Sequence, residues 1–349
     1  MKKVGLLLPI FSIPNNYGIG DFGEEAYEFI DILSNFNMSY WEILPINPTD
    51  NNNCPYSPTS SFAINPLFIS LEELKKINLL TDIKKLPITK RIDYQYVKKY
   101  KESYYHIAYN NFNSNHPLYK EYLKYLDTSN EYALFMSLKA NNNNCSWYNF
   151  INKYDENEFK YQSFLQFIAE YQWLNLKAYA NKKNISIIGD LPIYVTYESS
   201  DIYYHRQSFQ LNKDKMEYVS GASPDYFSSD GQKWGNPIYD FDFQKKDNYQ
   251  YLLKRYEYAN KLFDITRVDH FRAFSSYYKI PIDKSAIDGI WEEGPGHEFI
   301  DLLSSKIDLS KLVVEDLGAD LEKVYLLRDY YKLSGMKIFM YTFNLLPFL

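Results

Sequence analysis

Short apolar runs and apolar residues at helical spacing alternate along most of the chain. An apolar run at 4–8 ends at Pro9, and apolar residues then recur at helical spacing over 26–36. A second apolar run at 40–46 completes a strand–helix–strand beginning. Beyond residue 160 the same alternation predicts strands at 185–188, 265–271, 312–314 and 336–343, with helices near 164–178, 252–262, 299–303 and 321–331.

Repeated strand–helix units predict a parallel sheet, and six strands are counted. Three of them end in acidic residues: Asp190, Asp269 and Glu315. In a (β/α)₈ TIM-type barrel the carboxyl ends of the strands carry the active site. An open doubly wound sheet is the alternative, but no glycine-rich phosphate loop follows the first strand. The pattern favours an α/β barrel that is incomplete, since six strands are not eight.

The residues between the two strand-containing parts have a different pattern. Residues 51–66 are rich in Asn, Ser and Pro, which is typical of a loop, whereas 71–152 are polar, tyrosine-rich and helical in period. We therefore predict a helical insertion after the second strand. The expected organisation is a first part of the barrel at 1–70, the insertion at 71–160, and a continuation at 161–349 that contains a long loop at 197–242.

Composition and charge exclude some classes of partner. Lys and Arg number 38 against 44 Asp and Glu, which gives a net charge of −6 and argues against nucleic acid or an anionic membrane surface as a partner. Aromatic residues form 18% of the chain, with 36 Tyr. This fraction has two explanations, a compositional bias that also yields runs of asparagine, or a ligand such as a sugar that stacks on rings.

The two cysteines, Cys54 and Cys145, are too few for a disulfide framework. No Cys/His cluster has the spacing of a zinc site, so neither a metal nor a cofactor is predicted. The N-terminus imitates a signal peptide, but Pro9 interrupts its apolar run and no small-x-small cleavage site follows. No stretch approaches the ~18 apolar residues of a membrane span. These features predict a cytoplasmic protein.

The strongest chemical signal is an Arg-x-Asp pair on a strand. Arg267 and Asp269 are two residues apart, so their side chains lie on the same side, and the arginine is expected to lower the pKa of the aspartate. Glu315, at the end of the next strand, would lie nearby. One ionised and one protonated carboxyl group are what cleavage of a glycosidic bond requires. From spacing alone, a structural ion pair remains the alternative.

Nine segments in order resemble one family. The chain resembles the amylomaltase, or 4-alpha-glucanotransferase, family of the alpha-amylase superfamily, whose members are retaining barrel enzymes. The matching segments are GLLLPIFSIPNNYGIGDFGEEAYEFIDIL, YWEILPINPT, SPTSSFAINPLFISLEEL, YALFMSLK, IIGDLPIYVTYESSD, PDYFSSDGQKWGNPIYDF, RVDHFRAF, VVEDLG and GMKIFMYTF.

The resemblance implies roles for individual residues. Asp269 matches the nucleophile, Glu315 the general acid/base, and Arg267 the arginine that supports the nucleophile. The implied reaction transfers alpha-1,4-glucan segments to the 4-hydroxyl of another glucan or of glucose by double displacement. The implied partners are alpha-1,4-glucans and maltooligosaccharides. The implied substrate-binding residues are Tyr56, Asp190, Tyr226, Phe227 and Trp234, of which the Tyr226–Phe227 pair lies in a loop over the acceptor side.

The family pattern also continues beyond Leu349, with a seventh strand that carries a third catalytic carboxylate and with an eighth strand. The expectation is thus a C-terminally truncated chain without the last two strand–helix units. Because the third carboxylate has no counterpart in this sequence, a transferase, an inactive glucan-binding remnant and an alpha-glucan hydrolase all remain open. No pattern in the sequence sets an oligomeric state.

Overall fold

A computed structural model describes residues 3–128, 130–225, 228–318 and 320–342. The chain divides into two compact units. The first unit comprises Met1–Gly189, Val195–Arg206 and Lys261–Asp264, and the second comprises Asp190–Tyr194, Gln207–Asn260 and Ile265–Leu349.

The first unit begins with the predicted strand–helix–strand pattern. Strand β1 (Gly5–Leu7) is parallel to β2 (Tyr40–Glu42), which is parallel to β3 (Ser186–Leu191). Helix α1 (Glu24–Asn35) joins β1 to β2 and buries Ala26, Ile30 and Leu33, the residues at helical spacing. The last two residues of β3, Asp190 and Leu191, belong to the second unit.

Helices occupy the predicted insertion after the second strand. They are α2 (Leu71–Lys76), α3 (Tyr94–Asn111), α4 (Tyr119–Leu126), α5 (Glu131–Asn141) and α6 (Glu156–Lys182), and α7 (Ser200–Tyr204) follows β3. Polar side chains start five of these six helices, all except α4, because each accepts a hydrogen bond from a free N–H of the first turn. These capping residues are Ser70, Asp93, Asn130, Asp155 and Ser199.

Helix α6 forms much of the core of the first unit. Its Gln166 and Gln172 side chains each hydrogen-bond both backbone groups of one residue, Ile64 and Ser70 respectively, at 2.7–3.1 Å. The Trp173 indole N–H donates to the Leu262 carbonyl oxygen at 3.0 Å. These contacts tie the loop after β2 to the long helix.

A buried ion pair joins α3 to the segment before α1. Lys101 and Asp21 are 2.8 Å apart, and their side chains are 0% and 1% exposed. The Lys101 ammonium also donates to the Leu67 and Ile69 carbonyl oxygens. The N-cap of α1 is Gly23, and the Asp21 carboxylate accepts a hydrogen bond from the Gly23 N–H at 3.0 Å.

The second unit contains eight strands and five helices in its described part. In chain order these are β4 (Leu211–Asn212), β5 (Lys215–Met216), β6 (Tyr218–Ala222), β7 (Gln232–Lys233), α8 (Phe241–Lys246), α9 (Gln250–Leu262), β8 (Ile265–Val268), β9 (Ser276–Pro281), β10 (Ile290–Glu293), α10 (Gly296–Ser304), β11 (Leu312–Val314), α11 (Glu322–Tyr330) and α12 (Phe339–Thr342).

Two sheet arrangements in this unit position the site. Strands β8 and β11 are parallel neighbours, with Arg267 opposite Val313. Strands β10, β9, β6 and β7 form an antiparallel sheet in that order. Its core contains Val219, Tyr278 and Ile280, on which Met216 packs.

The α/β class with parallel strands and a helical insertion is confirmed, and two local predictions differ from the structure. The predicted loop at 197–242 contains α7 and the short strands β4 to β7. The strand predicted at 336–343 is absent from its described residues, 336–342, which end in α12. A single parallel bridge joins Val313 to Ser334 instead, because the Ser334 carbonyl oxygen accepts from the Val314 N–H at 2.8 Å.

Candidate active site

Three charged side chains meet at the carboxyl ends of β3 and β8, all within the second unit. Arg267 Nη1 lies 2.7 and 2.9 Å from the two carboxylate oxygens of Asp190, and 3.3 Å from Asp269 Oδ1. The Asp190 side chain is 2% exposed, and the Arg267 and Asp269 side chains are 15% and 19% exposed. One guanidinium nitrogen therefore bridges a buried carboxylate and a solvent-accessible one.

The loop after β3 contacts the same aspartate through its backbone. The Ile193 N–H lies 3.5 Å from Asp269 Oδ2, and the Asp269 N–H donates to the Leu191 carbonyl oxygen at 3.2 Å. Arg255 of α9 fixes this loop, because it donates to the Ile193 carbonyl oxygen at 2.8 Å and to the Pro192 carbonyl oxygen at 2.5 Å. Arg255 is 2% exposed, so the loop is held from its buried side.

Glu315 follows β11 and is held by the turn after Asp269. The His270 N–H donates to Glu315 Oε2 at 2.7 Å, and the Phe271 N–H donates to the Glu315 carbonyl oxygen at 3.1 Å. His270 has a φ of 45°, in the left-handed region that non-glycine residues seldom adopt. This conformation directs two successive N–H groups towards Glu315, so the turn couples the two candidate catalytic carboxylates.

The electrostatic surroundings distinguish the two carboxyl groups. Burial raises the pKa of Asp269, while Arg267 and the Ile193 N–H oppose the rise. Burial also raises the pKa of Glu315, and the negative charge of Asp269 adds to the rise. Arg267 lowers the pKa of Asp269, as its spacing predicts, but burial is the larger effect, so the net shift of the pKa is upward. The positive charge of Arg267 opposes the rise at both groups, and Arg267 contacts Asp269 directly at 3.3 Å.

Trp234 lies against the turn that joins the two carboxylates. Its ring centroid is 4.8 Å from that of His270, with the rings nearly perpendicular, and Trp234 is 38% exposed. Burial, assisted by the charge of Arg272, lowers the pKa of His270 to about 4. His270 is therefore a neutral histidine that packs beside the site at neutral pH.

A second buried carboxylate, Asp316, follows Glu315 and was not identified by the sequence reasoning. It is 1% exposed, forms an ion pair with Arg328 and accepts from the Met336 N–H at 2.8 Å. Its only signal in the sequence is its position next to Glu315. Arg328 lies on α11, so the pair ties the residue after Glu315 to the helix that follows.

Of the remaining predicted binding residues, the structure places Asp190 in this cluster. Tyr56 lies in the first unit, half-buried in a turn between Thr49 and Pro58, which form a bridge. Tyr226 and Phe227 lie outside the described residues. Asp190 is present in the cluster, but both of its oxygens contact Arg267, so its observed contact is an ion pair.

Among the residues that the structure describes, no group of three or more His, Cys, Asp or Glu side chains could hold a metal ion. In the same ranges, no helix has the length and apolar character needed to cross a bilayer.

Comparisons with known proteins agree with this geometry. The sequence model of the protein family described as 4-alpha-glucanotransferase matches residues 8–347. The chain is 35% identical to a 4-alpha-glucanotransferase of Aquifex aeolicus, over 98% of this chain and 74% of the relative. It is 38% identical to one of Clostridium butyricum, over 96% of this chain and 74% of the relative.

Solved structures show the same relationship. The amylomaltase of Streptococcus agalactiae in complex with acarbose matches with a TM-score of 0.87 and 31% identity, over 97% of this chain and 73% of that chain. The amylomaltase of Corynebacterium glutamicum shares the fold, with a TM-score of 0.80 at 17% identity, over 95% of this chain and 50% of that chain. With its parallel strands and its carboxylate cluster, the chain belongs to the 4-alpha-glucanotransferase family of transferases that act on alpha-1,4-glucans.

Proposed function

We propose that Asp269 and Glu315 carry out the family reaction in this chain, as nucleophile and general acid/base of a retaining double displacement. The observation that carries the proposal is the turn at His270. It follows Asp269 directly, and its N–H donates to Glu315 at 2.7 Å, which holds the two carboxyl groups beside each other. A retaining pair of this kind requires carboxyl groups about 5–5.5 Å apart.

The first step cleaves the glycosidic bond. Glu315, whose pKa is raised, keeps a proton and donates it to the O4 atom of the scissile alpha-1,4 bond. An Asp269 carboxylate oxygen attacks the anomeric carbon on the opposite face. The carbon–oxygen bond to the leaving chain breaks, and a covalent glycosyl–Asp269 ester forms. The leaving chain departs with the proton from Glu315.

The second step restores the configuration. Glu315, now a carboxylate, takes the proton from the 4-hydroxyl of an acceptor glucan. The acceptor oxygen attacks the anomeric carbon and displaces Asp269, so two inversions give net retention. The Arg267 guanidinium, 3.3 Å from Asp269, stabilises the carboxylate both before attack and on its release.

We assign the other residues to substrate binding and support. Trp234, exposed beside His270, offers a ring to a sugar at the donor side, and Asp190 fixes Arg267 through its two short contacts. Tyr56 is proposed as a further donor-side residue, and the Tyr226–Phe227 segment as a cover over the acceptor side. Water must be kept from the glycosyl–enzyme if transfer is to exceed hydrolysis.

The wider assignments are also proposals. The substrates are alpha-1,4-glucans and maltooligosaccharides of starch or glycogen metabolism, a class consistent with the acarbose complex of the Streptococcus agalactiae relative. The division into barrel parts at 1–70 and 161–349 around an insertion at 71–160 is proposed as the functional organisation. Two free cysteines, Cys54 and Cys145, support a reducing compartment such as the cytoplasm.

Incubation with maltotriose tests the function. The chain is expected to redistribute maltotriose into shorter and longer oligosaccharides, seen by chromatography, with little change in total reducing ends. Asp269→Asn and Glu315→Gln should each lower this rate by at least about 10³-fold, since each removes a group that takes part in covalent chemistry or proton transfer.

Asp283→Asn is the matched control, because Asp283 is an exposed aspartate of the same unit, and it should retain the full rate. Redistribution that persists in Asp269→Asn contradicts the assignment. A steady rise in reducing ends without longer products would instead show a hydrolase. Glucan binding without either change would show a non-catalytic binding protein.

A further inference from the structure

A second exposed tryptophan contacts the turn that follows the proposed nucleophile. Arg272 is three residues beyond Asp269, and the centre of its guanidinium lies 4.1 Å from the centroid of the Trp291 ring. Trp291 belongs to β10, an edge strand of the antiparallel sheet, and is 41% exposed. Arg272, in the turn that follows Asp269, thus packs against the partly exposed ring of Trp291.

Arg272 connects Trp291 to both strand ends that carry the proposed catalytic residues. It lies in the 3₁₀ turn Phe271–Phe274 directly after β8, and its Nη2 donates to the Asp320 carbonyl oxygen at 3.5 Å, in the loop after β11. The Gly294 N–H, just beyond β10, donates to the Ser275 carbonyl oxygen at 2.9 Å. The position of the Trp291 ring is therefore fixed relative to the turn that holds Glu315.

A neighbouring residue in the same sheet also packs against the Trp291 ring. Tyr278 lies opposite Trp291 in the β9–β10 pairing, with ring centroids 5.0 Å apart and planes tilted by 55°. Tyr278 is 4% exposed, and its hydroxyl donates to the Ala286 carbonyl oxygen at 2.8 Å. A ring that is already fixed loses little conformational entropy when a ligand stacks on it.

The exposure of Trp291 is not explained by core packing. Trp41 and Trp173, which serve the core of the first unit, are both 0% exposed. Trp291 and Trp234 are 41% and 38% exposed, and they lie on edge strand β10 and directly after the other edge strand, β7. Trp291 contacts Arg272 and Trp234 contacts His270, both in the turn after Asp269. A neutral sugar ring has an apolar face, and an exposed, fixed indole is the surface that such a face can cover.

We propose that Trp291, backed by Arg272, is a binding platform for a glucose ring of the alpha-1,4-glucan chain, outside the positions that flank the scissile bond. The proposal rests on the proposed transferase function and extends it. A platform outside those positions contributes only when the glucan is long enough to reach it, so it favours long chains over short ones.

Calorimetric titration with maltotriose and maltohexaose tests the platform, in a Glu315→Gln background that suppresses turnover. Trp291→Ala should weaken the binding of maltohexaose about fivefold, which is the loss expected when one aromatic contact is removed. The affinity for maltotriose should be unchanged. Trp291→Phe, which keeps a smaller ring, should restore part of the loss. Ile290→Ala is the control, since Ile290 neighbours Trp291 on β10 and is 48% exposed, and it should change neither affinity.

The outcomes separate the platform from the function on which it rests. Equal weakening of both oligosaccharides, or no weakening of either, in Trp291→Ala with an unchanged melting temperature overturns the platform. Failure of the Glu315→Gln chain itself to bind both maltotriose and maltohexaose counts against the proposed function instead.

Discussion

Arg267 is the cation on which the proposed nucleophile depends, and Arg267→Met removes it. Its Nη1 lies 3.3 Å from Asp269 Oδ1. Two unit charges at that distance interact by about 5 kcal/mol at an effective dielectric constant of 20. The guanidinium charge is delocalised and shared with Asp190, so we take about half of this, about 2.5 kcal/mol. That energy corresponds to about a 70-fold lower kcat/KM at neutral pH.

The assay is the initial rate of transfer from maltotriose between pH 4 and pH 9. Arg267 is the larger of the two groups that oppose the effect of burial on Asp269, so the pKa of Asp269 rises further when Arg267 is removed. The acid limb of the pH–rate profile should therefore move to higher pH. Arg267→Lys keeps the positive charge and should lose much less activity with a smaller movement of the limb.

Loss of Arg267 also leaves Asp190 buried without its counter-charge, which costs about 3–5 kcal/mol of stability. Asp190→Asn combined with Arg267→Met removes that cost, so the double variant should regain stability in urea denaturation without regaining the rate. The reasoning is refuted by an acid limb in Arg267→Met that coincides with that of the wild-type chain, or by equal losses in Arg267→Met and Arg267→Lys.

Three further predictions follow from other described contacts. Lys101→Met should lower the free energy of unfolding in urea by about 3–5 kcal/mol, because it leaves the buried Asp21 carboxylate without its ion-pair partner. Lys99→Met, at an exposed position of the same helix, should change this free energy by less than about 0.5 kcal/mol. Equal effects of the two substitutions would contradict the role of the pair. Glu315→Gln should stabilise the chain at neutral pH, because the raised pKa of Glu315 means that ionising this group lowers the stability of the folded state. The stabilisation should fade at acidic pH, where Glu315 is protonated in both the folded and the unfolded state. A stabilisation that persists at acidic pH would contradict the prediction. His270 should show no titration between pH 5.5 and 8 by NMR, and a midpoint near 6.5 would contradict its pKa of about 4.

Sequence periodicity predicts the parallel strands and their helices because both are local patterns. Strands β1, β2, β8 and β11 lie within predicted apolar runs, and β3 begins in the run at 185–188 and extends to Leu191. Helix α6 extends over the apolar periodicity predicted at 164–178. Strands β4, β5 and β7 have two residues each, too few to show a measurable alternation, and the five-residue β6 is set by its pairing with β9 and β7. Strand β9, for example, pairs with β6 over a separation that no local pattern reveals.

Side-chain partnerships across the fold are the part of the site that local reasoning does not reach. The spacing of Arg267 and Asp269 predicts their contact, and the structure shows it at 3.3 Å. The shorter contacts of Arg267 are with Asp190, 77 residues away along the chain. Lys101 is similar, because it lies in a polar helix and nothing nearby in the sequence indicates its burial against Asp21. Such pairs depend on which elements the fold brings together.

Identification of the residue that carries the covalent intermediate tests the central claim most directly. The Glu315→Gln variant is incubated with a ring-fluorinated maltosyl fluoride, whose good leaving group needs no acid while the ring fluorine slows the second displacement. Peptide mapping by mass spectrometry should find a fluorinated maltosyl adduct on Asp269. This adduct should be absent from the double variant that carries both Glu315→Gln and Asp269→Asn. An adduct on another residue, or turnover with inversion at the anomeric carbon and no adduct, would contradict the account.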